Sequence, residues 1–381
     1  MERVRYGIVG MGGMGTGHAH SIQQIEECVL GAVCDAVPEV AQEGGKTFGV
    51  PYFVDYHDLV DCAEVDAVIV ATPHYFHPPV SIYAMESGKP VISEKPIAAT
   101  VSDADAMVEA ARRTGVPFAV MHQSRTEPIW RAAGRLVQEG RLGEIYRTML
   151  VFATFRSQAY YDSAGWRATW GGEGGGVLIN QAPHSLDRFT WLGGLPSRVT
   201  ALTMTRNHDI EVEDVAMAML EYPNGALGHL YCSTTEAPTT EIMELAGEKG
   251  KLRVVGDAIR FWELPEGVKG FSDASEEMWA HPPDEEIDVP LPDCESGHSA
   301  VLRNVARHIL YGEALLTPGV DGLKSVEMIN AVILSGHTGR PVEIPVDRAR
   351  YDDFLEEMKE TSSFDAEDRG HDKRITDTVH H

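Results

Sequence analysis

The sequence predicts an α/β protein in two parts, a parallel sheet wrapped by helices and then a mainly antiparallel sheet. Three observations carry this expectation. In the N-terminal part short apolar runs alternate with helically spaced segments, the pattern of strands joined by crossover helices. From about Tyr146 the apolar runs lengthen and are joined by turn residues such as Pro223-Asn224-Gly225, the pattern of hairpins. A glycine-rich stretch, Gly10-Met11-Gly12-Gly13-Met14-Gly15, sits where the first strand should hand over to the first helix. The boundaries expected are 1–123 for the first domain, 124–345 for the second and 346–381 for a charged C-terminal tail.

Taken in order, Val4–Val9, Val29–Cys34, Ala67–Ala71, Pro90–Ile92 and Pro117–Val120 read as buried strands, rich in Val, Ile and Ala. Between them Gly13–Glu27, Pro38–Phe48, His77–Glu86 and Ser102–Thr114 read as helices. Ser102 is the expected N-cap of the last, with Asp103 and Asp105 facing the helix dipole and Gly115-Val116-Pro117 stopping it. In the second part, strands are expected at Tyr146–Phe155, Val199–Thr205, Val215–Glu221, Leu227–Thr235, Glu241–Ala246, Lys251–Val255 and Ile259–Trp262. One long helix, Val177–Leu192, interrupts them, and further helices are expected at Ser299–Tyr311, Gly319–Ser335 and Tyr351–Glu360. Residues 270–302 contain no Lys or Arg and read as an acidic surface loop; the end of the chain reads as a mobile tail.

Composition narrows the class. Lys and Arg total 32 against 58 Asp and Glu, a net charge of −26 that disfavours nucleic acid and anionic membrane surfaces as partners. The five cysteines show no C-x-x-C pair and no zinc-ligand spacing, so they read as reduced, and no metal site is expected. No apolar run approaches the roughly 18 residues of a membrane span, and none resembles a secretory signal. A cytoplasmic enzyme is expected.

The glycine stretch has a chemical reading. In G-x-G-x-x-G the glycines serve a tight turn, close approach to a pyrophosphate and close helix–strand packing, and the helix start offers unpaired N–H groups to phosphate. Gly10, Met11, Gly12, Gly13, Met14 and Gly15 are thus assigned to a dinucleotide. Asp35 closes the second strand, where its carboxylate can accept hydrogen bonds from an adenosine ribose. Ala36 and Val37 follow it, so no cation awaits a 2′-phosphate, and NAD is favoured over NADP.

Four further blocks resemble the glucose–fructose oxidoreductase / inositol dehydrogenase / MocA family, in an order that spans the chain to about Pro345. They are Ala71-Thr72-Pro73 with His77; Gly88 through Glu94-Lys95-Pro96; Gly174-Gly175-Gly176 into Asn180, His184 and Asp187; and Thr317–Gly322 through Thr338–Val342. The resemblance implies a Rossmann domain, then an α/β domain whose open, mainly antiparallel sheet supports a homodimer or homotetramer. It implies oxidation of a secondary alcohol of a sugar or cyclitol, or the reverse, with Lys95 and His184 as the catalytic pair. Thr72, Pro73, His77, Glu94 and Lys95 are implied cofactor contacts. Tyr160-Tyr161 through Trp166-Arg167 and Trp170 resembles the pyranoside-dehydrogenase subgroup around levoglucosan dehydrogenase.

Elementary chemistry fits these assignments. Hydride removal from a carbinol leaves a hydroxyl proton that a base of near-neutral pKa must take, and His184 suits that role. Lys95 can stabilise the developing alkoxide. On the expected helix Asn180 and His184 share a face, and Asp187 can orient the imidazole or cap a neighbouring element. Many relatives carry Asp where this chain has Asn180; an amide can bind a sugar hydroxyl but cannot act as a base, which loads proton transfer onto His184. Tyr160, Trp166 and Arg167 offer aromatic faces and a guanidinium to a pyranose. Arg125 can reach substrate or bridge the domains. His18 and His20 read as helix-packing or surface residues. The reading reached is NAD-dependent oxidation of a pyranoside or anhydrosugar hydroxyl, with C3 the favoured position. Its alternatives are an inositol dehydrogenase, a glycosidase-like enzyme that retains NAD for oxidation and elimination, and a non-enzymatic NAD(P)-binding regulator.

Overall fold

The structure, a computed structural model, describes residues 2–364. The first part runs β1 (Val4–Val9), α1 (Gly13–Ile22), β2 (Cys28–Cys34), α2 (Pro38–Phe48), β3 (Tyr52–Phe53), α3 (Tyr56–Asp61), β4 (Ala67–Val70), α4 (His77–Glu86), β5 (Val91–Ser93), α5 (Val101–Thr114) and β6 (Phe118–Val120). The strands form a parallel six-stranded sheet in the order β3-β2-β1-β4-β5-β6, with an apolar core on each face. Register decides where the chemistry lies. Val9 aligns with Cys34 and Val70, Val70 with Ser93, and Ser93 with Val120. The segments beginning at Gly10, Asp35, Ala71, Glu94 and Met121 therefore leave the sheet along one carboxyl edge, beside the switch from β1 to β4 where such sheets bind ligands.

The second part runs α6 (Pro128–Gln138), β7 (Ile145–Phe155), α7 (Gln158–Tyr161), α8 (Pro183–Gly193), β8 (Arg198–Met204), β9 (Val215–Glu221), β10 (Leu227–Ser233), β11 (Thr235–Gly247), β12 (Gly250–Val255), β13 (Ala258–Glu263), α9 (Val268–Ala274), β14 (Glu285–Ile287), α10 (His298–Tyr311), α11 (Gly319–Thr338), β15 (Val342–Glu343) and α12 (Arg348–Glu360). Its nine-stranded sheet, ordered β14-β13-β12-β11-β7-β10-β9-β8-β15, is antiparallel except where β10 lies parallel to β7. One face carries the core around Phe189, Leu230 and Leu245. The other is open, and Leu202, Met204, Met217, Met219 and Leu227 stand exposed on it.

Several expectations change. The helix expected over Val177–Leu192 begins only at Pro183, because Pro183 has no N–H to donate and the Glu213 carboxylate takes the N–H groups of Gly176 and Leu178. Asn180 therefore lies in the turn before α8 and shares no helical face with His184. The cap of α5 is Thr100, whose hydroxyl accepts from Asp103 N at 3.1 Å; Ser102 instead donates to Asp352 at 2.6 Å. The acidic segment contributes a short edge strand, β14. Helix α10 packs Val301, Leu302, Val305 and Ala306 into the core of the parallel sheet, so the chain returns to its first half after completing most of its second. In the expected tail, α12 packs Tyr351 and Leu355 into the second core, and Ser362 accepts from Gly171 N at 3.0 Å. Residues 365–381 lie outside the described residues.

The halves are bolted together by Arg125, in the short 3₁₀ turn after β6. Its Nε and Nη2 donate to the two oxygens of Asp187 on α8 at 2.7 and 2.6 Å, and its Nη1 to Asp321 on α11 at 2.7 Å. Of the two roles open to Arg125 the geometry supports the bridge, since the guanidinium is buried and held by two carboxylates. Removing one partner from a buried ion pair typically costs about 3–5 kcal/mol. Asp187→Asn should accordingly lower the urea unfolding free energy by about 3 kcal/mol; an unchanged midpoint would show that the bridge contributes nothing net.

Candidate active site

The glycine loop has the form a pyrophosphate requires. Gly10 has φ +94°. A Cβ on Gly15 would lie 1.8 Å from the Gly10 carbonyl, so the α1–β1 packing admits only glycine there. A Cβ on Gly12 would meet nothing within 4 Å, which leaves the approach to the start of α1 open, and no side chain caps that helix start. Asp35 accepts from Met11 N at 2.8 Å and Val37 N at 2.9 Å, placing its carboxylate against the glycine loop. These residues fit an NAD, whose phosphates would meet the start of α1 and whose adenosine ribose would meet Asp35.

At the same sheet edge β5 delivers Glu94 and Lys95. Glu94 is buried, with one oxygen 2.7 Å from His18 Nε2 on α1 and the other accepting from Lys95 N at 3.1 Å. Burial opposes its charge, but the bond to His18 prevails and holds the carboxyl down at about 2. His18 thus couples the cofactor helix to the catalytic block. Nothing in its local sequence signals this, because its partner lies on another strand. His77 is likewise buried, and its ring spans Pro96 O and Thr72 O at 2.8 Å each. Burial lowers its pKa, and a neutral imidazole has one N–H, so it donates to one of these carbonyls while its other nitrogen faces the second.

Lys95 Nζ donates across the domain seam to the Asn180 carbonyl at 3.3 Å. Burial lowers its pKa, while Glu94 and Glu173 act in the opposite direction. His184, in the first turn of α8, is pushed well below the ordinary imidazole range by burial and then by the Lys95 charge, so it stands neutral. Its Nε2 lies 3.3 Å from Gln123 Nε2, and among the described residues its Nδ1 has no hydrogen-bond partner. Asp187 does not orient it, being taken by Arg125; Gln123 is its neighbour instead.

The 157–181 segment forms the adjoining wall. Tyr160 Oη donates to Asn180 Oδ1 at 3.3 Å and accepts from Arg167 Nη1 at 2.8 Å and Gln181 Nε2 at 3.2 Å. The Arg167 guanidinium stacks over the Tyr160 and Trp166 rings at 4.5 and 4.8 Å. Lys95, Asn180, Tyr160, Trp166 and Arg167 thus form one connected group, with His184 within reach of the Lys95 charge. Sequence reasoning passed over Glu173, a buried carboxyl that accepts from Ala168 N at 2.6 Å and from Asn180 Nδ2. Its signal was a lone acid inside a glycine run.

A family model described as an oxidoreductase family with an NAD-binding Rossmann fold matches residues 4–122, and the GFO/IDH/MocA C-terminal domain matches residues 130–253. The chain belongs to the glucose–fructose oxidoreductase / inositol dehydrogenase / MocA family. It is 28% identical over 355 residues, 90% of each chain, to D-apiose dehydrogenase of Paraburkholderia graminis. It is 26% identical over 260 residues to levoglucosan dehydrogenase of Pseudarthrobacter phenanthrenivorans, covering 60% of this chain and 67% of that one. Among solved structures it resembles the WlbA dehydrogenase of Bordetella pertussis in complex with NADH and UDP-GlcNAcA. That match has 29% identity and a TM-score of 0.77, covering 91% of this chain and 100% of that one. The WlbA enzyme of Chromobacterium violaceum, also with NADH and UDP-GlcNAcA, is 32% identical with a TM-score of 0.78 over 91% and 97% of the chains. This family member is an NAD-dependent oxidoreductase acting on CH–OH groups. The open antiparallel sheet and the parallel NAD-binding sheet are both present as expected. No helix among the described residues is long and apolar enough to cross a membrane, and no group of His, Cys, Asp and Glu among them could hold a metal ion.

A second histidine gives a pH test of the site. His122 is fully buried, neither ring nitrogen has a hydrogen bond among the described residues, and Asp187 Oδ1 lies 3.5 Å from its Nε2. Burial carries its pKa from the ordinary 6.5 down to about 4 despite Asp187. The unfolded chain takes up a proton there as pH falls through 6.5, and the folded chain does not until about 4, so His122 costs stability across that window. Urea midpoints measured at about pH 7 and pH 5 should therefore separate less for His122→Gln than for the natural chain. An equal separation would mean that His122 takes up its proton without cost.

Proposed function

We propose that this enzyme oxidises a secondary hydroxyl of a pyranoside or anhydrosugar, with His184 taking the hydroxyl proton and Lys95 steadying the oxygen. The observation that carries the proposal is the meeting at the domain seam of an ammonium from β5 and a neutral imidazole from α8. Bound NAD supplies the hydride acceptor. His184, kept neutral by burial and by the neighbouring Lys95, has a lone pair for the proton at the moment the C–H bond is lost. The ammonium of Lys95 stabilises the charge that builds on the carbinol oxygen, and counts for more because the site is largely withdrawn from water. Tyr160 and Trp166 present ring faces to sugar C–H surfaces, while Asn180 and Arg167 address hydroxyls. The relative named for levoglucosan supports the substrate class, the one named for D-apiose supports a sugar more generally, and the C3 hydroxyl of a glucoside-type ring is the position the proposal favours.

A panel of glucosides, anhydrosugars, inositols and a UDP-linked uronic sugar, assayed with NAD and NADP by cofactor reduction, tests this reading. Turnover of a pyranoside or anhydrosugar with NAD is expected. Lys95→Ala should lower kcat by at least about a hundredfold while NAD still binds. Turnover restricted to inositols or to the nucleotide sugar would overturn the substrate class, and near-normal activity of Lys95→Ala would remove its role.

The open sheet face points to a homodimer or homotetramer. Leu202 pairs with Met217 across β8 and β9, and Met219 beside them is 62% exposed, too much apolar surface for a strand face left in water. Light scattering should show an oligomer for the natural chain and a monomer for Met217→Glu/Met219→Glu. A monomeric natural chain, or a double variant of unchanged mass, would contradict this.

A further inference from the structure

Asn180 sits between two groups that constrain its amide from opposite ends. On one side its Nδ2 donates to Glu173, and on the other its Oδ1 accepts from Tyr160 at 3.3 Å, beside the ring that Arg167 covers. Glu173 is 1% exposed, and its second oxygen is committed to Ala168 N at 2.6 Å, where Ala168 holds φ +54°. One oxygen of Glu173 therefore accepts from backbone, and among the described residues the other accepts from Asn180. From this geometry we propose that Glu173 is a positioning residue that decides which end of the Asn180 amide faces the sugar. The site offers a hydroxyl acceptor when Glu173 is ionised and a hydroxyl donor when Glu173 carries a proton.

An ionised carboxylate only accepts, so the Asn180 NH₂ must turn toward it and Oδ1 faces Tyr160 and the substrate side. A protonated Glu173 still accepts from Ala168 with one oxygen, but its O–H must be donated, and the only acceptor on the Asn180 amide is Oδ1. The amide then turns over. Its Nδ2 faces the Tyr160 hydroxyl, which accepts from Asn180 and Arg167 and turns its own proton to Gln181 Oε1, unpartnered among the described residues, as the Gln181 amide turns over with it. The two ends of an amide have nearly the same shape, so exchanging them disturbs little packing. Burying either state with a mismatched pair would leave a buried polar atom unsatisfied, which is what couples the proton to the turn.

Protonation lies within working range. Burial pushes the Glu173 carboxyl up to about 7, against the hydrogen bonds from Ala168 and Asn180 and the charges of Arg167 and Lys95. The other groups that face it are known. Glu213, from the loop before β9, accepts from Gly176 and Leu178 N–H and is pushed up to about 7 by burial, with the Glu173 charge acting in the same direction. His74, whose Nδ1 is 3.3 Å from the Glu173 carbonyl, is held down at about 3 by burial and stays neutral. The Tyr75 hydroxyl is committed to Trp170 O at 2.7 Å and is raised by burial, so it does not ionise near neutrality. An aspartate at position 180 would have no donor end to exchange, so the device belongs to the Asn180–Glu173 combination.

The inference rests on the proposed function only in placing a sugar hydroxyl against Asn180, so its test begins without substrate. The full chain, labelled with ¹⁵N asparagine, is followed between about pH 5.5 and 8.5, with the Asn180 NH₂ signals assigned by Asn180→Asp. In the natural chain these signals should shift with one midpoint near neutrality. In Glu173→Gln the carboxamide oxygen keeps Ala168 N and the NH₂ donates to Asn180 Oδ1, so the signals should stay at their acid-side position at every pH. With a sugar that is turned over, KM should change about fivefold through the same midpoint, the size of one hydrogen bond to substrate. Glu173→Gln should hold the acid-side KM, with NAD affinity unaltered. Stationary Asn180 signals in the natural chain, or the same movement in Glu173→Gln, overturn the proposal. Should that variant fold poorly, the titration of the natural chain decides alone. Moving signals in an enzyme that turns over no sugar would sink the proposed function and leave the Glu173–Asn180 exchange standing.

Discussion

A single buried guanidinium sets the working distance of this enzyme. Arg125 leaves the last strand of the parallel sheet and is locked to Asp187 and Asp321, one on the helix that carries His184 and the other on α11. Lys95 comes from β5, the strand paired with β6 on that same sheet. Arg125 is one of the contacts that hold α8 against the sheet edge, where the His184 ring comes within range of the Lys95 charge. Such a pair is costly to bury and more costly to break, which makes it a register device as well as a bond. Asp187, which sequence spacing would place to orient the His184 imidazole, is engaged by Arg125 instead.

Burial, more than any one neighbour, sets the protonation states around the seam. His184, His122 and His74 are all driven toward the neutral form, and Glu173 and Glu213 toward the protonated one. Glu94 runs the other way because His18 reaches it from the cofactor helix. In this pattern His184 is neutral, the charge of Lys95 lies close by, and Glu173 and Glu213 carry less charge than they would in water.

Most of the first half of the fold is legible in the sequence because its information is local, although β3 and α3 are not expected from it and α1 ends at Ile22, short of the expected Glu27. Helix α4 begins and ends at His77 and Glu86 as the periodicity implies, and the glycine loop and Asp35 lie where a strand–turn–helix unit puts them. What the sequence hid depends on partners far along the chain. Helix α8 starts six residues late because Glu213, 37 positions from Gly176, captures the N–H groups that would have opened it. The parallel pairing of β10 with β7, the return of α10 to the first core and the His18–Glu94 link are of the same kind. So is the cap of α5: Thr100 and Ser102 are both able to cap, and Asp352 on α12 decides between them by engaging Ser102. For the site, Lys95, Asn180, Tyr160, Trp166 and Arg167 come together as their motifs implied. Arg125 and Asp187 hold α8 to the turn after β6, His77 lies between two loop carbonyls, and Gln123, Glu173 and His18 take contacts that no spacing rule would give them.

The account stands on a sugar hydroxyl meeting Lys95 and His184 at the domain seam, and a crystal structure with NADH and a sugar that the enzyme turns over tests it most directly. The account predicts the carbinol carbon against nicotinamide C4, with its oxygen about 3 Å from both Lys95 Nζ and a His184 ring nitrogen. A sugar bound with neither side chain within reach of the reacting oxygen would contradict it.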